Sequence, residues 1–179
     1  MKSRSIIFSA PMMRAMLEGR KFVTRRLDKS WLKYKKGDEI WVRETWAPVD
    51  FMVRGYELDD PNCIGYRADG SAMVVGNCEK LDTYAWNWDL IKWRSSIFMP
   101  RWASRISHIL TEDAREERLQ DITEEEALME GCKLYYDDPN RTDRRHPKYR
   151  EAFITLWNSL HPEGKRWVDN PEVVRLCWK

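Results

Sequence analysis

The segment Glu39 to Trp46 constrains the fold more than any other part of the chain. In extended conformation Ile40, Val42 and Trp46 point one way and Trp41 the other, so a strand here carries apolar side chains on both faces. Such a strand belongs in a barrel or between two layers, because an open sheet leaves one face wet. Lys36-Gly37-Asp38 is the turn that leads into it. Further strands are predicted at Ile6 to Phe8, Val23 to Arg26, Gly65 to Arg67 and Ser71 to Val75. A β pattern over Ile97 to Arg118 sets Ile106, His108 and Leu110 on one face, and Glu172 to Trp178 closes the chain after Asn170-Pro171.

Helices are few. One starts near Pro11, sets Met12, Ala15 and Met16 on one face and stops at Gly19. A second is bounded by the capping box of Thr123 and Glu126 and by Gly131, which makes Glu130 its last residue. A third opens at Pro147, carries the stripe Tyr149, Phe153, Leu156, Trp157 and Leu160, and ends at His161-Pro162. Short strands interspersed with these helices make an α+β fold. The 179 residues fit a single domain over 1–179 with an insertion at about 50–96, where the period fails and Trp86, Trp88 and Trp93 cluster.

Several classes are excluded by what the sequence contains. Ile6-Ile7-Phe8 is too short for a signal-peptide core and no stretch is apolar enough to span a membrane, so a cytoplasmic protein is expected. Cys63, Cys78, Cys132 and Cys177 form no Cys-x-x-Cys pair and have no zinc spacing with His108, His146 or His161. Four reduced thiols and no metal are therefore expected. No Gly-rich phosphate loop, Gly-x-Ser-x-Gly elbow or His-Glu-x-x-His helix is present, and no cofactor is expected.

The net charge is only +2, but charge is unevenly distributed. Arg20 to Lys36 holds eight basic residues against Asp28, a balance of +7, and Glu112 to Glu130 holds nine acidic residues against Arg115 and Arg118, a balance of −7. Two readings stand: solvated faces that partly neutralise each other, or a phosphate-binding patch.

Within the basic run, Lys21 falls in the turn between Gly19 and the strand at Val23, from which its ammonium can swing beside the Thr24 hydroxyl. A lysine that activates a hydroxyl must lose its proton near neutral pH. One cation at about 6 Å and an effective dielectric of about 20 costs the ammonium roughly 2.8 kcal/mol, about two pKa units, and in water far less. Burial therefore decides whether Lys21 is a base or a phosphate ligand. Glu130, at the negative end of a helix dipole, suits a proton carrier. Trp41, Trp46 and Trp102 alternate with Arg43, Arg101 and Arg105; Trp41 and Trp46 read as core, and Trp102, beside Pro100-Arg101, as a base contact.

Four blocks resemble the ASCH family, in particular its phage and prophage members: Leu17-Glu18-Gly19-Arg20-Lys21-Phe22-Val23-Thr24-Arg25-Arg26, Gly37-Asp38-Glu39-Ile40-Trp41-Val42-Arg43-Glu44-Thr45-Trp46, Met99-Pro100-Arg101-Trp102-Ala103-Ser104-Arg105-Ile106, and Arg118-Leu119-Gln120-Asp121-Ile122-Thr123-Glu124-Glu125-Glu126-Ala127. The resemblance implies a PUA-like small curved β-barrel with flanking helices. It implies a nucleic-acid-binding protein acting on RNA, on DNA or on a modified nucleoside, with ribonuclease activity or as an amidohydrolase of N4-acetylcytidine. In the amidohydrolase branch a Lys-x-x-Thr turn and a downstream glutamate form the catalytic site. By resemblance these fall on Lys21, Thr24 and Glu130, with Glu126 and Glu44 as alternative acids. The nucleic-acid-binding set is then Arg20, Arg25, Arg26, Arg43, Arg101, Trp102 and Arg105. Phe22 and Val23 depart from the small or hydroxylated residues the family often carries between its lysine and threonine.

Overall fold

The computed structural model describes residues 1–49, 52–53, 56–57, 63–74, 91–132 and 149–178. Its elements run β1 (Ser3–Ile7), α1 (Ala10–Leu17), β2 (Val23–Arg26), β3 (Glu39–Arg43), β4 (Trp46–Val49), β5 (Met52–Val53), β6 (Tyr56–Glu57), β7 (Cys63–Tyr66), β8 (Ser71–Val74), β9 (Ser107–Ile109), β10 (Arg115–Arg118), α2 (Glu124–Met129), α3 (Tyr149–Leu160) and β11 (Glu172–Cys177). Three-stranded sheets form in the orders β1-β3-β9, β10-β11-β2 and β4-β7-β8, and β5 pairs with β6. The fold is mixed α+β, with small sheets and few helices. No helix among the described residues is long and apolar enough to cross a membrane.

The chain forms two compact units. The first comprises Met1–Ser3, Ala15–Glu39 and His108–Lys179. Its central strand is β11, antiparallel to β10 on one side and to β2 on the other, with Leu176 opposite Thr24 and Arg175 opposite Arg25. The core of this unit gathers Leu119, Ile122, Ala127, Phe153, Trp157 and Val173. Phe153 and Trp157, one helical turn apart, drive α3 onto it. Truncation of either ring to alanine costs about 3–5 kcal/mol. The α3 stripe stops short of its expected end: Leu160 is 60 % exposed, whereas Trp157 is buried.

The second unit comprises Arg4–Arg14 and Ile40–Ser107 and includes the stretch expected as an insertion. The β4-β7-β8 meander pairs Trp46 with Tyr66 and Tyr66 with Ser71. Trp46, Ile64, Tyr66, Met99 and Ala103 form its core, and Trp93 packs against the smaller pair Ala47 and Cys63. Trp86, Trp88 and Cys78 lie outside the described residues, as does Pro147, expected to open α3.

Three local expectations need correction. The expected strand Glu39 to Trp46 breaks at Glu44-Thr45, between β3 and β4. Glu44 turns inward there, where its backbone N–H meets Met99 Sδ at 3.3 Å. Trp41 is half-buried rather than core, roofed by the Arg43 guanidinium at 4.9 Å and that of Arg101 at 5.5 Å. On α1 the buried positions are Met13, Ala15 and Met16, so Met13 rather than Met12 faces inward.

Candidate functional site

The site in the first unit is assembled from the end of α2. Thr123 accepts a hydrogen bond from the Glu126 amide at 3.1 Å, and the Glu126 carboxylate reaches back to the Thr123 amide; the reciprocal bonds fix where the helix begins. A helix so started ends with Glu130 as its cap and Gly131 at φ +80°, in the left-handed region. Gly131 is needed for space as well: a Cβ there would lie 2.7 Å from the Ala15 Cβ and 2.9 Å from the Lys21 Cβ. That approach lets Lys21 and Glu130 form an antiparallel β-bridge, while the Phe22 amide donates to the Met129 carbonyl at 2.8 Å.

Lys21 is buried, with its side chain only 1 % exposed. Its Nζ donates to Glu130 Oε2 at 2.7 Å, to the Glu130 carbonyl at 2.9 Å and to the Val23 carbonyl at 2.8 Å. Those three bonds match the three donors of an ammonium. The bond to Val23 sets the nitrogen at the peptide that joins Val23 to Thr24, and Thr24 is itself buried. Burial pushes the Lys21 pKa below its ordinary value; the Glu130 carboxylate opposes that and the Arg26 charge adds to it. Next to this pair, burial raises the Cys132 thiol to about 12.

Arg25 is as deeply placed, with no exposed side-chain surface. Its Nε donates to Glu117 Oε1 at 2.7 Å, Nη2 to Glu126 Oε2 at 2.6 Å and Nη1 to Glu130 Oε1 at 3.2 Å. Arg175, its neighbour across the sheet, pairs with Glu112 and, at 3.1 Å, with Glu126. Farther out, Lys29 meets Glu116 and Glu172 at 2.6 Å each, and Lys35 meets Asp113 at 3.2 Å. The basic and acidic runs of the sequence thus pair with one another, partly inside the unit.

Arg25 is therefore not a phosphate ligand, because three carboxylates and burial hold it away from solvent. Arg20 is bound to Glu18 and to the Gly131 carbonyl, the latter at 3.0 Å, and keeps part of its side chain exposed. Arg26 is half-buried at the end of β2. Of the three glutamates considered for Lys21, the structure places Glu130 against it, commits Glu126 to Arg25 and to the cap, and sets Glu44 in the second unit.

In that second unit Glu44 is fully buried and holds Arg105 through both oxygens, at 2.8 and 2.9 Å. Arg105 also donates to Asp69 at 2.9 and 3.1 Å and to the Ser71 hydroxyl at 2.6 Å, with its guanidinium 4.0 Å from the Tyr66 ring centroid. Arg105 is thus corrected from a nucleic-acid contact to a structural clamp. Arg43 donates to the Ile97 carbonyl at 3.1 Å. Arg101 is exposed, and so is Trp102, at 60 %, with its ring T-shaped to that of Trp46 at 6.2 Å. Asp69 and Tyr66 escaped sequence reasoning because nothing local marks residues 36 and 39 positions away from Arg105 as its partners.

Cys132 and Cys177 carry free thiols, and no group of three or more His, Cys, Asp or Glu among the described residues could hold a metal ion. No family model, curated protein or solved structure matches the chain.

Proposed function

We propose that the chain acts on a modified nucleoside or on RNA, and that Lys21, Thr24 and Glu130 form a hydrolytic centre for an acylated exocyclic amine such as that of N4-acetylcytidine. The observation that carries this reading is the buried contact of 2.7 Å between Lys21 and Glu130, beside the Val23–Thr24 peptide. Lysine is almost never fully buried without a partner, and the stability such a pair returns is small or negative. A buried lysine–glutamate pair next to a buried hydroxyl is therefore better explained by proton chemistry than by stability. The resemblance to ASCH proteins supports the same three residues and brings with it the PUA-like barrel as the finer description of the fold.

The pair shares one proton, and burial disfavours the doubly charged arrangement relative to water, so the neutral form, Lys21 amine with Glu130 carboxylic acid, comes within reach. In that form the amine takes the Thr24 hydroxyl proton as Oγ attacks the acyl carbon. The tetrahedral intermediate collapses, the C–N bond breaks and the leaving amine takes the proton of Glu130. Water then attacks the Thr24 ester, gives a proton to the Glu130 carboxylate, and releases the carboxylic acid; Lys21 returns its proton to Thr24 Oγ.

A second reading, binding of single-stranded RNA, draws on the second unit. Exposed Arg101 and Trp102 and the guanidinium-roofed Trp41 offer stacking surface and positive charge together, and Lys92 and Arg94 add exposed charge in a segment, Ile91 to Arg105, that holds no acidic residue. On this reading Trp102→Ala and Arg101→Ala each weaken RNA binding, and the Arg101 change also flattens its salt dependence.

The test is turnover of N4-acetylcytidine by the wild type beside Lys21→Ala, Thr24→Ala and Arg101→Ala. The hydrolytic reading expects the first two to be inactive and the third to retain most activity. Full activity in Thr24→Ala removes the nucleophile from the account. Salt-sensitive RNA binding without deacetylation leaves only the second reading.

A further inference from the structure

We propose that Arg25 is a positioning residue of this site: its guanidinium takes Oε1 of Glu130 and so holds Oε2 against Lys21. The inference rests on the hydrolytic reading and assigns a role to a residue whose position in a basic run suggested phosphate binding. Three observations carry it. The Arg25 side chain has no exposed surface, so it cannot meet an outside ligand. Its three donors run to three glutamates from two different elements, Glu117 on β10 and Glu126 and Glu130 at the start and end of α2. The contact with Glu130, at 3.2 Å, is the longest of the three, and the other two, at 2.7 and 2.6 Å, fix the guanidinium plane independently of it.

That geometry has a chemical consequence. A planar guanidinium anchored on two carboxylates presents its remaining N–H in a fixed direction. Turning the Glu130 carboxylate out of this plane breaks its contact with Arg25, with Lys21 or with both. Arg25 thereby fixes the orientation in which Glu130 meets Lys21. Glu126 ties this to the fold, since the carboxylate that anchors Arg25 also caps the helix whose far end carries Glu130.

The experiment separates position from stability. kcat and KM for N4-acetylcytidine are measured in the wild type, Arg25→Met and Arg25→Lys, beside a urea titration of each. In a folded Arg25→Met kcat is expected to fall on the order of a hundredfold with KM nearly unchanged. Arg25→Lys restores little of it, since an ammonium lacks the fork. If Arg25→Met does not fold, Glu117→Gln carries the test: it loosens one of the two anchors of the guanidinium, and kcat falls with KM held.

A kcat unchanged in a folded Arg25→Met, or in Glu117→Gln where that variant carries the test, overturns the inference and leaves Arg25 a structural ion-pair partner. A wild type that deacetylates nothing sinks the hydrolytic reading itself, so the two failures are distinguishable.

Discussion

Each unit sets an arginine among carboxylates, Arg25 in the first and Arg105 in the second, and the two clusters differ in what else they hold. In the second unit Arg105 is satisfied on every side by Glu44, Asp69 and Ser71, and lies on Tyr66, with no lysine in the group. In the first, Arg25 leaves one oxygen of Glu130 to a buried lysine. A bidentate arginine–carboxylate pair is the ordinary way to fix two segments of chain. A lysine–carboxylate pair out of water holds a proton that can sit on either partner. The comparison teaches that burial of charge does not itself mark a site; the kind of donor does.

The sharpest way to break this comparison is Lys21→Met. Deacetylation is expected to fall by on the order of a thousandfold or more, as for loss of a positioned general base. Arg25 still neutralises Glu130, so the variant folds, and steady-state kinetics beside a urea titration separate the two effects. Next in size is Arg105→Ala, which leaves the buried Glu44 without its partner and costs about 3–5 kcal/mol in the same urea titration. If Arg105 is only a clamp, kcat per folded molecule stays at the wild-type value.

Gly131→Ala is smaller in stability, roughly 1–3 kcal/mol from a crowded Cβ and a left-handed backbone. Since the crowding falls on Lys21 itself, this change also lowers turnover, whereas a clamp mutation does not. The smallest effects are slopes of stability against pH, and the two clusters give opposite signs. Burial raises the Glu44 pKa, against the pull of Arg105, so the folded state holds the extra proton and stability falls as pH rises from the ordinary glutamate value to the folded one. The Lys21 pKa is lowered, so the unfolded state holds the extra proton and stability rises with pH between the folded value and the ordinary lysine value. Urea midpoints across pH should lose the first slope in Glu44→Gln and the second in Lys21→Met.

What the sequence made legible was local. The capping box at Thr123 and Glu126 and the stops at Gly19 and Gly131 follow from helix-end chemistry confined to a few residues, and β2 occupies the expected Val23–Arg26. Phe153 and Trp157 follow from helical spacing. The burial of Arg25 and the partners of Arg105 are not legible, because a charged residue reads as exposed unless its partner is known. The partners of Arg25 lie 92, 101 and 105 residues away in the chain. The inward turn of Glu44 was equally hidden, since an alternating pattern does not announce where a strand breaks. Lys21 with Thr24 and Glu130 could be named in advance only through the resemblance, because neither spacing nor composition singles out one glutamate in an acidic run.

The most direct measurement is to trap the reaction. The protein is mixed with N4-acetylcytidine, quenched in acid within the first turnovers, digested and examined by mass spectrometry. An acetyl group on the Thr24 hydroxyl in the wild type, absent from Lys21→Ala, is the result this account predicts. Turnover that proceeds without acetylation of Thr24, or acetyl-Thr24 that forms as readily without Lys21, would contradict it.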